Sequence, residues 1–296
     1  MSARVMGATR QKGTSMKTKL LAAAAFSVFG LTQPALAQDS VGVADGDSWT
    51  GPYVGLRAGV SDVAGGNNES VLFDTNLDGT FDDTVRTGAG VNAFGPGFCG
   101  GRATAPTAVN GCREDAARLE FGAHAGFDYD FGGLVAGVVG EVARSNVRDS
   151  VTAFSTTPAN YVLTRQLREQ YAVRARAGVG LGDALLYATG GGVHARVRNT
   201  FSSTNTANDF SGTRTKGEWG YQLGGGLEYR TSANFSIGAL FLMTNVDADS
   251  YRVDVTRGRA PATNPFVLVN PNGTTFARSD EDFEQRSVTV TASYRF

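Results

Sequence analysis

Nine residues at the C-terminus constrain this chain more than any other stretch. Residues 288–296 read V-T-V-T-A-S-Y-R-F, so that Val288, Val290, Ala292, Tyr294 and Phe296 fall on one face of an extended segment and Thr289, Thr291, Ser293 and Arg295 on the other. An apolar face ending in aromatics, opposite a face of hydroxyls and one charge, suits a strand with lipid on one side. A half-buried strand of a soluble sandwich fits the same nine residues. The rest of the chain separates the two.

Near the other end, Lys17 and Lys19 precede an apolar run over residues 20–31, followed by Pro34 and the small-residue pattern Ala35-Leu36-Ala37. That is the order of an export signal and its cleavage site. The run is too short for a membrane-spanning helix, which needs about 20 residues. The sequence therefore predicts a signal peptide over residues 1–37 with its true start at Met16, a periplasmic lead over 38–48, and one domain over 49–296. Beyond residue 37 no uninterrupted apolar run reaches 18 residues, so the exported chain is periplasmic, secreted or a barrel.

Composition narrows this further. With 39 Gly, 8 Pro and 19% charged residues the chain is neither disordered nor a coiled coil. Its net charge of −1 gives no basic surface for nucleic acid. The two cysteines, Cys99 and Cys112, lie in a polar, Gly-rich stretch. In an oxidising compartment they predict a local disulfide that closes a surface loop, worth about 3 kcal/mol; metal binding by two lone cysteines fits less well.

Seven further stretches repeat the alternation of the last one. In the first, Val54, Leu56, Ala58 and Val60 oppose Tyr53, Gly55, Arg57 and Gly59; in the second, Leu119, Phe121, Ala123, Ala125, Phe127 and Tyr129 oppose Glu120, Gly122, His124, Gly126 and Asp128. The third sets Leu134, Ala136, Val138 and Val142 against Glu141, and the fourth sets Tyr171, Val173, Ala175, Ala177 and Val179 against Arg174, Arg176 and Gly178. In the fifth, A-L-L-Y-A-T-G-G-G-V-H-A-R-V, His194 and Arg196 are assigned to the inner face and Tyr187 to the outer. The sixth opposes Trp219, Tyr221, Leu223, Leu227 and Tyr229 to Gln222, Gly224, Gly226, Glu228 and Arg230; the seventh points Phe235, Ile237, Ala239, Phe241 and Met243 outward.

Short turns near residues 132, 182 and 233 alternate with long connections at about 62–115, 145–168, 198–217 and 246–283. An even strand count with turns and loops on opposite sides is the pattern of an outer-membrane barrel. Outward Phe127, Tyr129, Tyr187, Tyr229, Phe235, Tyr294 and Phe296 gather at the short-turn ends, as an interfacial aromatic girdle would. The expected fold is all-β: a transmembrane antiparallel up-and-down β-barrel of eight strands. Ten remain possible, because Y-R-V-D-V and P-F-V-L-V in the fourth connection also alternate.

The W-T-G-P-Y-V-G-L-R-A-G segment at Trp49, the R-A-R-A-G-V-G and L-L-Y-A-T-G-G-G pair and the Tyr294-x-Phe296 terminus resemble the OmpA-like, opacity-type eight-stranded outer-membrane barrels. The resemblance covers residues 49–296 and specifies architecture better than activity. It implies the outer membrane of a Gram-negative bacterium, contact with outer-membrane lipid and lipopolysaccharide, and Tyr294 and Phe296 as a signal read by the barrel assembly machinery. Members of the group are surface antigens, adhesins, membrane-stabilising proteins and, in a few lines, haem binders. Leu240 departs from the pattern, since many relatives carry an inward acid there.

An eight-stranded barrel is just wide enough for its own side chains. The expected interior set is Arg57, His124, Asp128, Glu141, Arg174, Arg176, His194, Arg196, Glu228 and Arg230. Mixed charges removed from water must pair, which predicts a structural plug with inward glycines giving the long side chains room. The alternative is a small pore for ions or small solutes, anion-favouring through excess arginine. Catalysis is not expected: a lipid-deacylating barrel would need a Ser beside a His with an acidic orienter, and His124 and His194 have no Ser neighbour on their strand faces.

The first loop holds D-T-N-L-D-G-T-F-D-D over residues 74–83. Asp74, Asn76, Asp78, Gly79 and Asp82 match the start of a calcium loop, but Val85 replaces the final bidentate acid. The same residues also fit a plain Asp-Gly turn. No other cofactor is expected. The role the sequence supports best is structural or surface interaction through the loops: envelope integrity, adhesion or an antigenic surface with an extracellular partner.

Overall fold

The structure is a computed structural model that describes residues 48–64, 69–248 and 251–296. The expected signal peptide and most of the lead lie outside them. Eight strands build the barrel: β1 (Gly51–Val63), β2 (Arg118–Asp130), β3 (Leu134–Arg144), β4 (Ala159–Leu181), β5 (Ala184–Ser203), β6 (Arg214–Arg230), β7 (Phe235–Asp247) and β8 (Asp282–Arg295). Each pairs antiparallel with the next, and β8 pairs with β1 in register from Tyr53 opposite Arg295 to Val63 opposite Gln285, which closes the cylinder at eight. Among the described residues no helix is long and apolar enough to cross a membrane; strands make the crossing.

The outer wall is apolar, with Leu56, Phe121, Val138, Val173, Leu223, Ile237 and Val290 all exposed. In water such a surface would aggregate, and in a bilayer it is the solvated face. The inner face of β2 alternates glycine with Glu120, His124 and Asp128. Gly55 is needed for closeness: a Cβ there would stand 2.4 Å from the His124 ring. The short turns fold as expected, with Gly132, Gly133 and Gly182 in the left-handed region at φ 85°, 97° and 64°.

A bilayer strand needs about 9–11 residues, yet β4 has 23 and β5 has 20. The excess stands above the membrane on one side of the barrel. There a β-bulge between Arg196 and Val197, opposite Arg168, shifts the register. The loops do not extend β7 and β8 into a ten-stranded wall. Val253–Thr256 pairs instead with Thr274–Arg278 and with Asp209–Phe210, Thr274–Arg278 pairs with Val71–Asp74, and Pro265–Val267 is a single 3-10 turn.

This four-stranded sheet draws on three loops. Against it packs an extension of the barrel sheet, in which Arg148–Ser155 lies on upper β4 and Gly97–Gly100 lies on Arg148–Ser155. Between them is an aromatic core of Phe73, Phe94, Tyr161, Phe266 and Phe276, with centroids 4.5 Å apart for Phe73 and Phe94 and 5.0 Å for Phe73 and Phe276. All four long connections are therefore parts of one folded cap. The Cys99–Cys112 disulfide closes a small flap on its first-loop side.

Candidate functional site

The lumen contains two chains of ion pairs. In the upper one, Arg57 bridges Glu120 at 2.6 Å and Glu141 at 2.7 Å, and Glu141 also accepts from Arg174 at 2.8 Å. Arg174 reaches on to Gln222, which donates to Gln170 and Thr244. In the lower one, Arg176 binds Glu228 at 2.8 Å and Asp128 at 3.5 Å, and Asp128 accepts from Arg295 at 2.9 Å. His124 hydrogen-bonds Ser293 at 3.0 Å. A void of about 20 Å³ among His124, Glu141, Arg176 and Glu228 has room for a single water. Charges buried this deeply persist only when each is met by an opposite charge or a hydrogen bond.

Arg57, His124, Asp128, Glu141, Arg174, Arg176, Glu228 and Arg230 all point inward, as the alternation predicts. His194 and Arg196 do not. On β5 the inward side chains are Leu185, Tyr187, Thr189, Val193, Ala195 and Val197, and the phase of the strand is opposite to the expected one. Two facts produce the inversion. Gly190, Gly191 and Gly192 carry no polarity to set the phase, and the upper lumen is apolar, with Val193, Ala195 and Val197 packed on Val147, Leu167, Val246 and Phe283. Tyr187 accordingly leaves the expected girdle and lies under the Arg176 guanidinium, 4.0 Å from its ring centroid. His194 sits outside against Trp219, with centroids 4.8 Å apart, and Arg196 meets Glu169 at 3.4 Å.

One contributor is legible in the sequence only as part of a family motif. Trp49 is 1% exposed and lies across the short-turn mouth of the barrel. Its amide donates to Asp130, its indole donates to the Gly182 carbonyl, and Arg230 and Arg295 stack over its ring at 4.5 and 5.5 Å. Arg230 also donates to the Ser48 carbonyl and Arg295 to the Trp49 carbonyl. One residue thus ties the entry of β1 to the β2–β3 turn, the β4–β5 turn, β6 and β8.

The cap has a charged joint beside its aromatic core. Arg278 from the fourth loop donates to Glu69 of the first loop and to Asp149 of the second, and Arg165 of β4 holds the same Asp149 at 2.7 Å. Burial alone would push the Asp149 carboxyl up, but the two guanidiniums outweigh it and hold it below the ordinary carboxylate range. A carboxyl depressed on folding adds stability above its ordinary value of about 3.9, and that stability is lost as pH falls through the lowered one. Limited proteolysis with an acid-active protease is expected to find the cap resistant at about pH 5 and progressively cleaved below about pH 4. Burial pushes the neighbouring Glu69 carboxyl the other way, up, so the comparison is with Asp149→Asn: an acid-side loss of resistance that this variant leaves unchanged would show that Asp149 contributes nothing to it.

In the first loop, Asp74 turns both carboxylate oxygens toward backbone amides, those of Leu77 at 2.6 Å and Gly79 at 2.9 Å, while Asn76 and Asp78 bond each other and Asp82 is exposed. Among the described residues no three carboxylate, histidine or cysteine groups converge as a metal site. The segment turns without a paired return strand, held by the Asp83 amide on the Phe73 carbonyl.

Comparison with known proteins places this architecture. Residues 21–296 match the outer membrane protein β-barrel domain family. The 31 kDa outer-membrane immunogenic proteins of Brucella melitensis biotype 1 and Brucella suis biovar 1 are each 24% identical over 201 residues, 67% of this chain and 72% of the relative. Among solved structures, OprG of Pseudomonas aeruginosa aligns at 12% identity and a TM-score of 0.42 over 83% of this chain and 97% of its own. Ail, the attachment invasion locus protein of Yersinia pestis, solved with the heparin analogue sucrose octasulfate, aligns at 13% and 0.34 over 83% and 99%. With a closed eight-stranded barrel, an apolar outer wall and a family match over nearly the whole chain, this protein belongs to the outer membrane protein β-barrel domain family and resides in the bacterial outer membrane.

Proposed function

We propose that this protein is a non-conducting, non-enzymatic anchor that holds a folded recognition surface outside the cell, serving surface interaction and envelope integrity. The observation that carries this reading is the cap itself: four loops share one aromatic core, which independent flexible loops would not need. The lumen supports it, because Arg174 and Arg176, the arginines an anion path would use, are each committed to an acid. The immunogenic Brucella relatives agree with an exposed outer surface.

The test replaces the four loops by short turns while heat-modifiable gel mobility confirms that the barrel folds. Cells displaying the trimmed barrel are expected to adhere to host-cell layers no better than cells lacking the protein. Equal adherence with and without the cap would refute the reading. Planar bilayers containing the intact protein are expected to stay silent; discrete conductance steps that vanish in Arg174→Gln would assign a pore instead.

A further inference from the structure

The outer wall of the barrel is uneven. On β6 and β7 it carries Trp219, Tyr221, Leu223, Phe241 and Met243, all exposed. On the opposite side, around β2, it is shallow. A recess of about 800 Å³ crosses β8, β1, β2, β3 and β4 as one band, floored by Ala58, Ala123 and Ala292 and edged by Leu56, Phe121 and Tyr171. A second recess continues it toward the short-turn end over Ala125 and Gly140. At Gly140 an added Cβ would meet nothing closer than the Ala125 carbonyl at 3.9 Å, so the wall is open there. Inside a membrane such small-residue surfaces let two backbones approach closely, which bulky side chains prevent.

At the loop ends of the same strands, the outward charges are matched in position and opposed in sign about β2. Its two neighbours carry Asp62 on β1 and Arg144 on β3, and the next strands out carry Arg286 on β8 and Glu169 on β4. Beyond these, Asp247 on β7 answers Arg196 and Arg198 on β5. Glu284 and Asp282, higher on β8, are the exceptions. Asp62 and Arg286 stand in register on adjacent strands without pairing, as do Arg144 and Glu169. Among the described residues the one ion pair these charges make is the exposed 3.4 Å contact of Arg196 with Glu169.

A twofold axis along the membrane normal, passing in front of β2, turns this pattern onto itself. It sets β1 of one copy opposite β3 of the other and β8 opposite β4, so that every matched position meets its opposite sign. We propose that the protein forms a symmetric homodimer in the outer membrane, with Ala123 at the axis and the recess around β2 closed by the same recess of a second copy. Asp62 meets the partner's Arg144 and Arg286 meets the partner's Glu169, each twice. Exposed ion pairs are individually weak; their part is to select this face and this rotation over the others. Packing over Ala58, Ala123 and Ala292 supplies the contact, and the bulky wall of β6 and β7 is left to lipid.

The test measures self-association of the refolded full-length protein by sedimentation equilibrium in density-matched detergent micelles. A monomer–dimer equilibrium is expected. Asp62→Arg and Arg144→Asp, which each set like charges across the axis, are expected to raise the dissociation constant at least about tenfold, and the exchange Asp62→Arg/Arg144→Asp is expected to recover most of that loss. Ala123→Trp, which holds the two walls apart while keeping them apolar, is expected to leave a monomer, whereas Leu223→Trp on the opposite wall is expected to change nothing. Heat-modifiable mobility verifies folding of each variant. A monomer at every concentration, its recess filled by detergent or lipid alone, or an exchange variant no better associated than its two parents, would overturn the proposal.

Discussion

Replacing Glu141 by alanine is expected to destabilise the barrel by about 3–5 kcal/mol, the cost of leaving buried charges without a partner. Glu141 is the acid shared by Arg57 and Arg174, at 2.7 and 2.8 Å, and both guanidiniums are fully enclosed. Its removal leaves Arg174 only with Gln222 and leaves Arg57 on Glu120 alone. The urea midpoint for loss of heat-modifiable mobility should fall sharply. Glu141→Gln keeps an acceptor of the same shape and should fall less. Unchanged midpoints in both variants would mean that water replaces the missing carboxylate, and the lumen would then be wetter than its single-water void suggests.

Phe276→Ala should have the second large effect, confined to the cap above the membrane. The Phe276 ring is wholly buried and makes ring contacts with Phe73, Phe94, Tyr161, Phe201 and Phe266, which come from every part of the cap core. Phe-to-Ala changes in such cores cost about 3–5 kcal/mol. Because the barrel has its own closed hydrogen-bond network and a lipid-solvated wall, the loss should appear as protease cleavage in all four loops with heat-modifiable mobility retained. Cleavage restricted to the fourth loop would show that the loops fold independently.

The membrane part of this molecule is legible because lipid outside and a packed polar lumen inside impose opposite chemistry on successive residues. Seven of the eight strands carry that signal clearly, from Val54 opposite Arg57 in β1 to Val290 opposite Thr291 in β8. The fifth loses it where three glycines are followed by a lumen lined with Val193, Ala195 and Val197, since apolar-inward residues there mimic apolar-outward ones. The cap is opaque for another reason. Phe73, Phe94, Phe210, Phe266 and Phe276 sit in separate short segments of the long connections with no common period, and Phe73 and Phe276 meet across about two hundred residues of sequence. Trp49 is hidden similarly: nothing local announces that its ring will meet Arg230 and Arg295.

The shared core also decides what an antibody or a receptor can recognise. On the cap surface the Asn270 side chain donates to the Asn76 carbonyl at 3.0 Å, joining positions 194 residues apart. Epitopes on this face are therefore conformational composites of several loops. A synthetic peptide copied from any one loop lacks the neighbours that shape it, and sera raised against such peptides should recognise the denatured chain better than the living cell. Surface positions can vary while the buried rings keep the scaffold constant.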